Sequence, residues 1–181
     1  MASHIASLIM EAMNAECCQN FAGPKHTLVD FHRMMTRLVE MEDSQYSYRN
    51  VLVAYTSGGI LVGICVAYDS GKLHQLRRRF YEAALEAFGI DYTGMTDETE
   101  DGEFYIDSLA VSSNFRGKGI ASQLLQATIE RGAELGIPTV GLLVDKGNPK
   151  AEALYQRLGF VYVNDSTWGG HPMRHLQYKH D

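Results

Sequence analysis

The stretch Ser112-Ser113-Asn114-Phe115-Arg116-Gly117-Lys118-Gly119-Ile120-Ala121 gathers the residue types that hold a phosphate or diphosphate. An apolar run precedes it and a helical apolar pattern follows, so it reads as strand, turn and helix start. Unpaired N–H groups at a helix start point outward and, with the helix dipole, favour an anion. Gly117 and Gly119 carry no Cβ, so a ligand can come close and unusual dihedrals cost little. Arg116 and Lys118 add positive charge. Two carboxylates, Glu103 and Asp107, lie on the strand that leads into this turn. Either one is placed to accept a proton, and a carboxylate buried there must be paired, functional or both.

A second group follows at Asn148-Pro149-Lys150-Ala151-Glu152-Ala153-Leu154-Tyr155-Gln156-Arg157-Leu158-Gly159-Phe160. Together the two segments resemble the GNAT superfamily of acetyl-CoA-dependent N-acetyltransferases. Residues 116–121 match the family's (Gln/Arg)-x-x-Gly-x-(Gly/Ala) loop, and Asn148-x-x-Ala151-x-x-Leu154-Tyr155 with Gly159-Phe160 matches its second motif. The match covers residues 103–163. The resemblance implies acetyl-CoA as cosubstrate, its diphosphate on Arg116, Gly117, Lys118, Gly119, Ile120 and Ala121. It also implies a pantetheine arm along the main chain of Leu109, Ala110 and Val111, with Asn148 beside it. Tyr155 holds the place of the family's general acid, and Glu103 the offset at which several members carry a catalytic glutamate.

The chemistry sets what such residues must do. An alkyl ammonium with pKa near ~10.4 is neutral in about one molecule per thousand at pH 7, a contribution of ~4 kcal/mol to the barrier. Glu103 or Asp107 would remove that proton, and Tyr155 would protonate the departing thiolate. Strand alternation puts Glu103, Tyr105, Asp107, Leu109 and Val111 on one face. Trp168 and His171, in an expected loop over residues 166–171, are candidates for the acceptor pocket. The acidic segment 97–103 would attract a cationic amine or simply be solvated.

The elements that position these groups follow from periodicity. Residues 3–18 read as one amphipathic helix, and Thr27 with Asp30 as a capping box opening a second. Residues 51–55 and 60–68 form a hairpin, 72–88 a helix, and 104–111 a third strand. A helix over 119–135, a strand over 139–144 and a helix over 149–158 make a parallel crossover unit. Strands over 160–163 and 173–178 complete the chain. The expected fold class is α/β (α+β), the GNAT fold: a mixed, mostly antiparallel central sheet with one strand–helix–strand crossover and helices on both faces. Residues 1–181 form a single expected N-acetyltransferase domain with an extra helix and acidic segment at 71–103. The family's first strand has no counterpart before the first helix: either the sequence starts late or that strand is absent, and in the latter case an unpaired sheet edge would invite a homodimer.

Composition narrows the partners. Net charge is −6 and the pI near 5.6, which argues against a nucleic-acid surface. Arg77-Arg78-Arg79 reads as a solvated helix face. Cys17, Cys18 and Cys65 form no C-x-x-C and no even framework, which fits free thiols in the cytoplasm. The longest apolar run is too short for a bilayer, so no membrane partner is expected. The scattered histidines supply no metal-binding spacing, so no metal is expected. A dinucleotide turn at residues 117–122 lacks the βαβ units it would need after it. Cys65 reads as a core thiol, not a nucleophile. The function expected is acetyl transfer to a primary amine, the acceptor a small molecule. The alternatives are a CoA-binding regulatory module and a protein N-terminal or lysine acetyltransferase.

Overall fold

The computed structural model describes residues 1–181, folded around one six-stranded sheet. Its elements are α1 (Ala2–Met13), α2 (Ala15–Ala22), α3 (Leu28–Glu40), β1 (Val51–Tyr55), β2 (Leu61–Asp69) and α4 (Leu73–Phe88). There follow β3 (Glu103–Val111), α5 (Ile120–Glu134), β4 (Thr139–Asp145), α6 (Pro149–Arg157), β5 (Val161–Trp168) and β6 (His171–Lys179). Strand order is β1-β2-β3-β4-β6-β5, antiparallel throughout except for β3 with β4. That parallel pair is joined by α5, the crossover that residues 119–144 predict. No helix is long and apolar enough to cross a membrane.

Each face of the sheet buries its own cluster. Ile64, Val66, Tyr68 and Tyr105 pack against α1 to α4, with Phe31, Leu38 and Phe80 at the centre. Phe104, Ile106, Leu142 and Leu176 face the other way, against Leu124, Leu125 and Ile129 of α5. Leu154 and Tyr155 of α6 join that second cluster. The expected helices on both faces are therefore present.

Four local expectations need correction. The single helix over 3–18 is two helices, because Asn14 takes a left-handed φ of 71° and caps α2 by accepting from the Cys17 N–H at 2.9 Å. With ψ at 159° the residue lies outside the left-handed helical well, in a region that glycine usually fills, and its cap bond to Cys17 accompanies that turn between the two helices. The loop over 166–171 is only the two residues Gly169-Gly170, both at positive φ, because β5 runs to Trp168 and β6 begins at His171. This is the two-residue hairpin that adjacent glycines favour. Arg77 is not on a solvated face but 1% exposed, since it falls four residues after Leu73 and three before Phe80 on the inward stripe of α4. Arg78 and Arg79 do stay outside, paired with Glu82 and Asp43.

The fourth correction concerns β3. Val66 pairs with Ser108 and Ala67 with Ile106, so Asp107 is the extra residue of a bulge. A bulge shifts the alternation by one. Tyr105 and Ala110 consequently face α1 to α4, whereas Leu109 and Val111 face α5. Glu103, Tyr105, Asp107, Leu109 and Val111 do not share one face.

Candidate active site

Strand β3 pairs with β4 only from Glu103 to Ile106, opposite Thr139 to Leu142. Beyond that point the strands part, and residues 107–111 have β2 on one side and no strand on the other. The sheet thus opens a wedge whose β3 wall ends in the turn at 116–121. Main-chain groups along this wall are free to pair with an extended ligand, as an added strand would.

At the narrow end of the turn, Gly117 and Gly119 sit at φ 74° and 78°. A Cβ would meet nothing within 4 Å at either one, so backbone conformation, not crowding, demands glycine there. Gly119 is the N-cap of α5, and no side chain caps the helix, so its first N–H groups face outward. Arg116 stays exposed but is tethered: its Nε donates to the Val111 carbonyl at 3.0 Å, and Nη2 lies 3.9 Å from Glu11. It staples the turn to the end of β3. Lys118 rests its ammonium 5.1 Å from the Phe115 ring centre. Ile120 and Ala121 begin α5.

On the α6 side, Asn148 is the N-cap expected of it, accepting from the Ala151 N–H at 3.2 Å. Pro149 occupies the first turn, where its missing N–H costs nothing. Tyr155 stands edge-on to Phe160, ring centres 6.0 Å apart. Burial pushes its phenol up to about 12, so it stays protonated at neutral pH.

The two candidate carboxylates have different surroundings. Glu103 is 2% exposed and crosses Gly141, where a Cβ would overlap its carboxylate. His175 Nε2 lies 2.8 Å and Gln177 Nε2 2.9 Å from its Oε2, and Thr99 donates to Oε1. Burial works to raise its pKa, but the donors from His175, Thr99 and Gln177 outweigh burial and hold it below the ordinary glutamate range. His175 is raised in turn, first by its hydrogen bond to Glu103. A carboxylate so well satisfied is a weak base, and it ties segment 99–103 to β6.

Asp107 is only part-buried, at the bulge where the wedge begins. It accepts from Tyr68 at 2.8 Å, Ser108 at 2.9 Å and Gln45 at 3.3 Å. Burial nonetheless raises its pKa. Sequence reasoning missed its neighbour Glu98, 8% exposed and 3.1 Å from Arg77 Nη2. Burial, reinforced by Asp107, pushes Glu98 up to about 8. The signal for Glu98 in the sequence is Arg77 on the inward stripe of α4, since a buried guanidinium demands hydrogen-bond acceptors beside it.

Next to this group lies an open cleft of about 610 Å³, lined by Asp97, Glu98, Glu100, Asp101, Ser166 and His175 among others. It reaches Leu143 of β4, one residue past the last pairing with β3. Trp168 comes to this side and stacks over the Arg77 guanidinium at 5.9 Å. His171 pairs with Trp168 across the hairpin and lies 3.8 Å from Asp145. The structure thus gathers Asp107, Trp168 and the acidic segment on one side of the sheet. Tyr155 belongs to the other, and the wedge lies between.

Comparison with known proteins bears on the family and the fold. A solved structure described as an acetyltransferase shares 27% identity, covers 98% of this chain and 94% of its own, and superposes with a TM-score of 0.79. Mycothiol acetyltransferase of Propionibacterium freudenreichii is 36% identical over 78 residues, 42% of this chain and 24% of that protein. Spermine/spermidine N(1)-acetyltransferase of Bacillus subtilis is 27% identical over 94 residues, 50% of this chain and 62% of that protein. The chain therefore spans less than two thirds of the length of these curated relatives. The family model for Acetyltransferase (GNAT) matches residues 18–160. The chain belongs to the GNAT acetyltransferase family.

Proposed function

We propose that the protein transfers an acetyl group from acetyl-CoA to the primary amine of a small cationic molecule, directly within a ternary complex. One observation carries the reading: β3 and β4 part after Ile106, leaving the β3 main chain open between the uncapped start of α5 and an acidic cleft that reaches Leu143. The residues present fit the donor. The outward N–H groups at Gly119, Ile120 and Ala121, with Lys118 beside them, would hold its diphosphate. The open main chain of Leu109, Ala110 and Val111 would pair with its arm, and N–H groups there would polarise the thioester carbonyl.

Asp107 takes the ammonium proton in this reading, and Tyr155 gives one to the leaving sulfur. Glu103 is a clamp, not the base, because its hydrogen-bond partners already satisfy it. The preference for a cationic acceptor rests on the carboxylates of the cleft, with Arg77 and Trp168 at its edge. The relative named for spermine and spermidine, both polycationic amines, supports the same class.

Acetyl-CoA titration by calorimetry together with thiol release across a panel of amines tests this. Binding with release for diamines and polyamines is the expected result. Binding with no release for any amine would make the protein a CoA-binding module instead.

A further inference from the structure

Glu98 lies on the segment between α4 and β3, and the fold lays that segment over Tyr68. The Tyr68 hydroxyl is 2.8 Å from Asp107 Oδ2 and 3.4 Å from Glu98 Oε1. One hydroxyl therefore stands between two carboxylates, and it has one proton to give. Arg77 reaches Glu98 and Asp97 but makes no ion pair with Asp107. Gln45 Nε2, 3.3 Å from Asp107 and 3.4 Å from the Tyr68 oxygen, supplies no charge.

The remaining groups facing the pair bring no second cation. Tyr46 and Tyr105 are buried phenols, Cys17 of α2 is a thiol raised by burial and by Asp107, and Asp97 is itself acidic. His175, on the cleft wall, is engaged by Glu103. Were both carboxylates ionised, Tyr68 would serve only one of them. With a proton on Glu98, its O–H donates to the Tyr68 oxygen, and Tyr68 donates to Asp107. Every member of the chain is then satisfied, and Asp97, 3.3 Å from Arg77 Nη1, carries the negative charge opposite the guanidinium.

We propose that Glu98 and Asp107 act as one proton-accepting pair joined through Tyr68, with Asp107 taking the amine's proton and Glu98 a positioning residue that keeps the pair's retained proton. This rests on the acetyltransferase reading above. In the step, an ammonium N–H bond breaks and its proton moves to Asp107. The freed lone pair forms the C–N bond to the thioester carbonyl, the C–S bond breaks, and the sulfur takes a proton from Tyr155. The nitrogen sheds two protons in all: one leaves through Asp107 to solvent, and the other restores the Tyr155 phenol.

The test is a carbon-13 carboxyl NMR titration of the full chain without donor, beside the pH profile of kcat/KM. The acceptor amine is chosen to titrate outside the range from pH 5 to 9. In the parent protein the Asp107 signal should respond in two steps, the second coincident with Glu98 near 8. Glu98→Gln should remove that second step from both the spectrum and the kinetic profile. Asp107→Asn should lower the Glu98 titration by about one unit or more. Tyr68→Phe keeps the ring and should uncouple the two signals, which decides the matter if a carboxylate variant fails to fold. Independent single-step titrations, unmoved by these changes, overturn the pair. Absence of acetyl transfer with the coupled titration intact instead overturns the acetyltransferase reading.

Discussion

At the scale of single residues, the proposed reaction turns on two protonation states. Tyr155 is held protonated by burial, the condition a proton donor to sulfur needs. Tyr155→Phe should lower kcat by about a hundredfold, the size usual for one positioned acid, while acetyl-CoA affinity changes less than about twofold. Steady-state turnover beside calorimetric titration checks this, and unchanged turnover removes Tyr155 from the mechanism. Glu103 and His175 make the opposite case, a buried pair whose value is structural. The His175 pKa is raised, so its contribution is complete below the unfolded value of roughly 6.5 and fades as pH rises through the folded value. The Glu103 pKa is lowered, so its contribution is present above roughly 4.3 and fades as pH falls through the folded value. Both are complete between about pH 4.3 and 6.5. The Tm lost on His175→Asn should be greatest in that window and shrink toward pH 8, and a loss that grows toward pH 8 would contradict the pairing.

At the scale of elements, β3 does most of the positioning. Its first residues join β4 and fix Glu103 over Gly141; its bulge sets Asp107 where the strands separate. Gly141→Ala places a methyl in the Glu103 carboxylate and should cost about 1–3 kcal/mol, read as a drop in denaturation midpoint. Gly119→Ala forces a side chain to φ 78° and should cost about 1–2 kcal/mol while weakening acetyl-CoA binding, because the N–H groups of α5 lose their aim. Gly117 and Gly119 were legible as conformational glycines from the sequence, and the open space around them agrees. The bulge was not legible. Residues 103–111 alternate without a glycine or proline to mark it, and only the register against β2 reveals the extra residue.

At the scale of the whole molecule, charge is distributed unevenly. The net charge of −6 includes a cleft wall of Asp97, Glu100 and Asp101. Such a wall raises the local concentration of cations, and salt screens it over a Debye length of about 8 Å at physiological ionic strength. With a diamine acceptor, kcat/KM should fall several-fold between 20 mM and 500 mM salt, roughly the range over which steering is screened, while a monoamine falls less. Equal salt dependence for the two would assign the acidic segment to solvation alone.

The family resemblance supplied the class of the sheet; motifs and periodicity determined the turn at 116–121, the N-cap at Asn148 and the crossover through α5. These last three depend on neighbours a few residues apart, where backbone preference and helix capping act. The tertiary structure alone decided that Glu98 meets Tyr68 and Asp107, and that Glu103 is consumed by β6. Those contacts join segments far apart in the chain. Their protonation depends on burial and on donors from other strands, neither of which a linear pattern encodes.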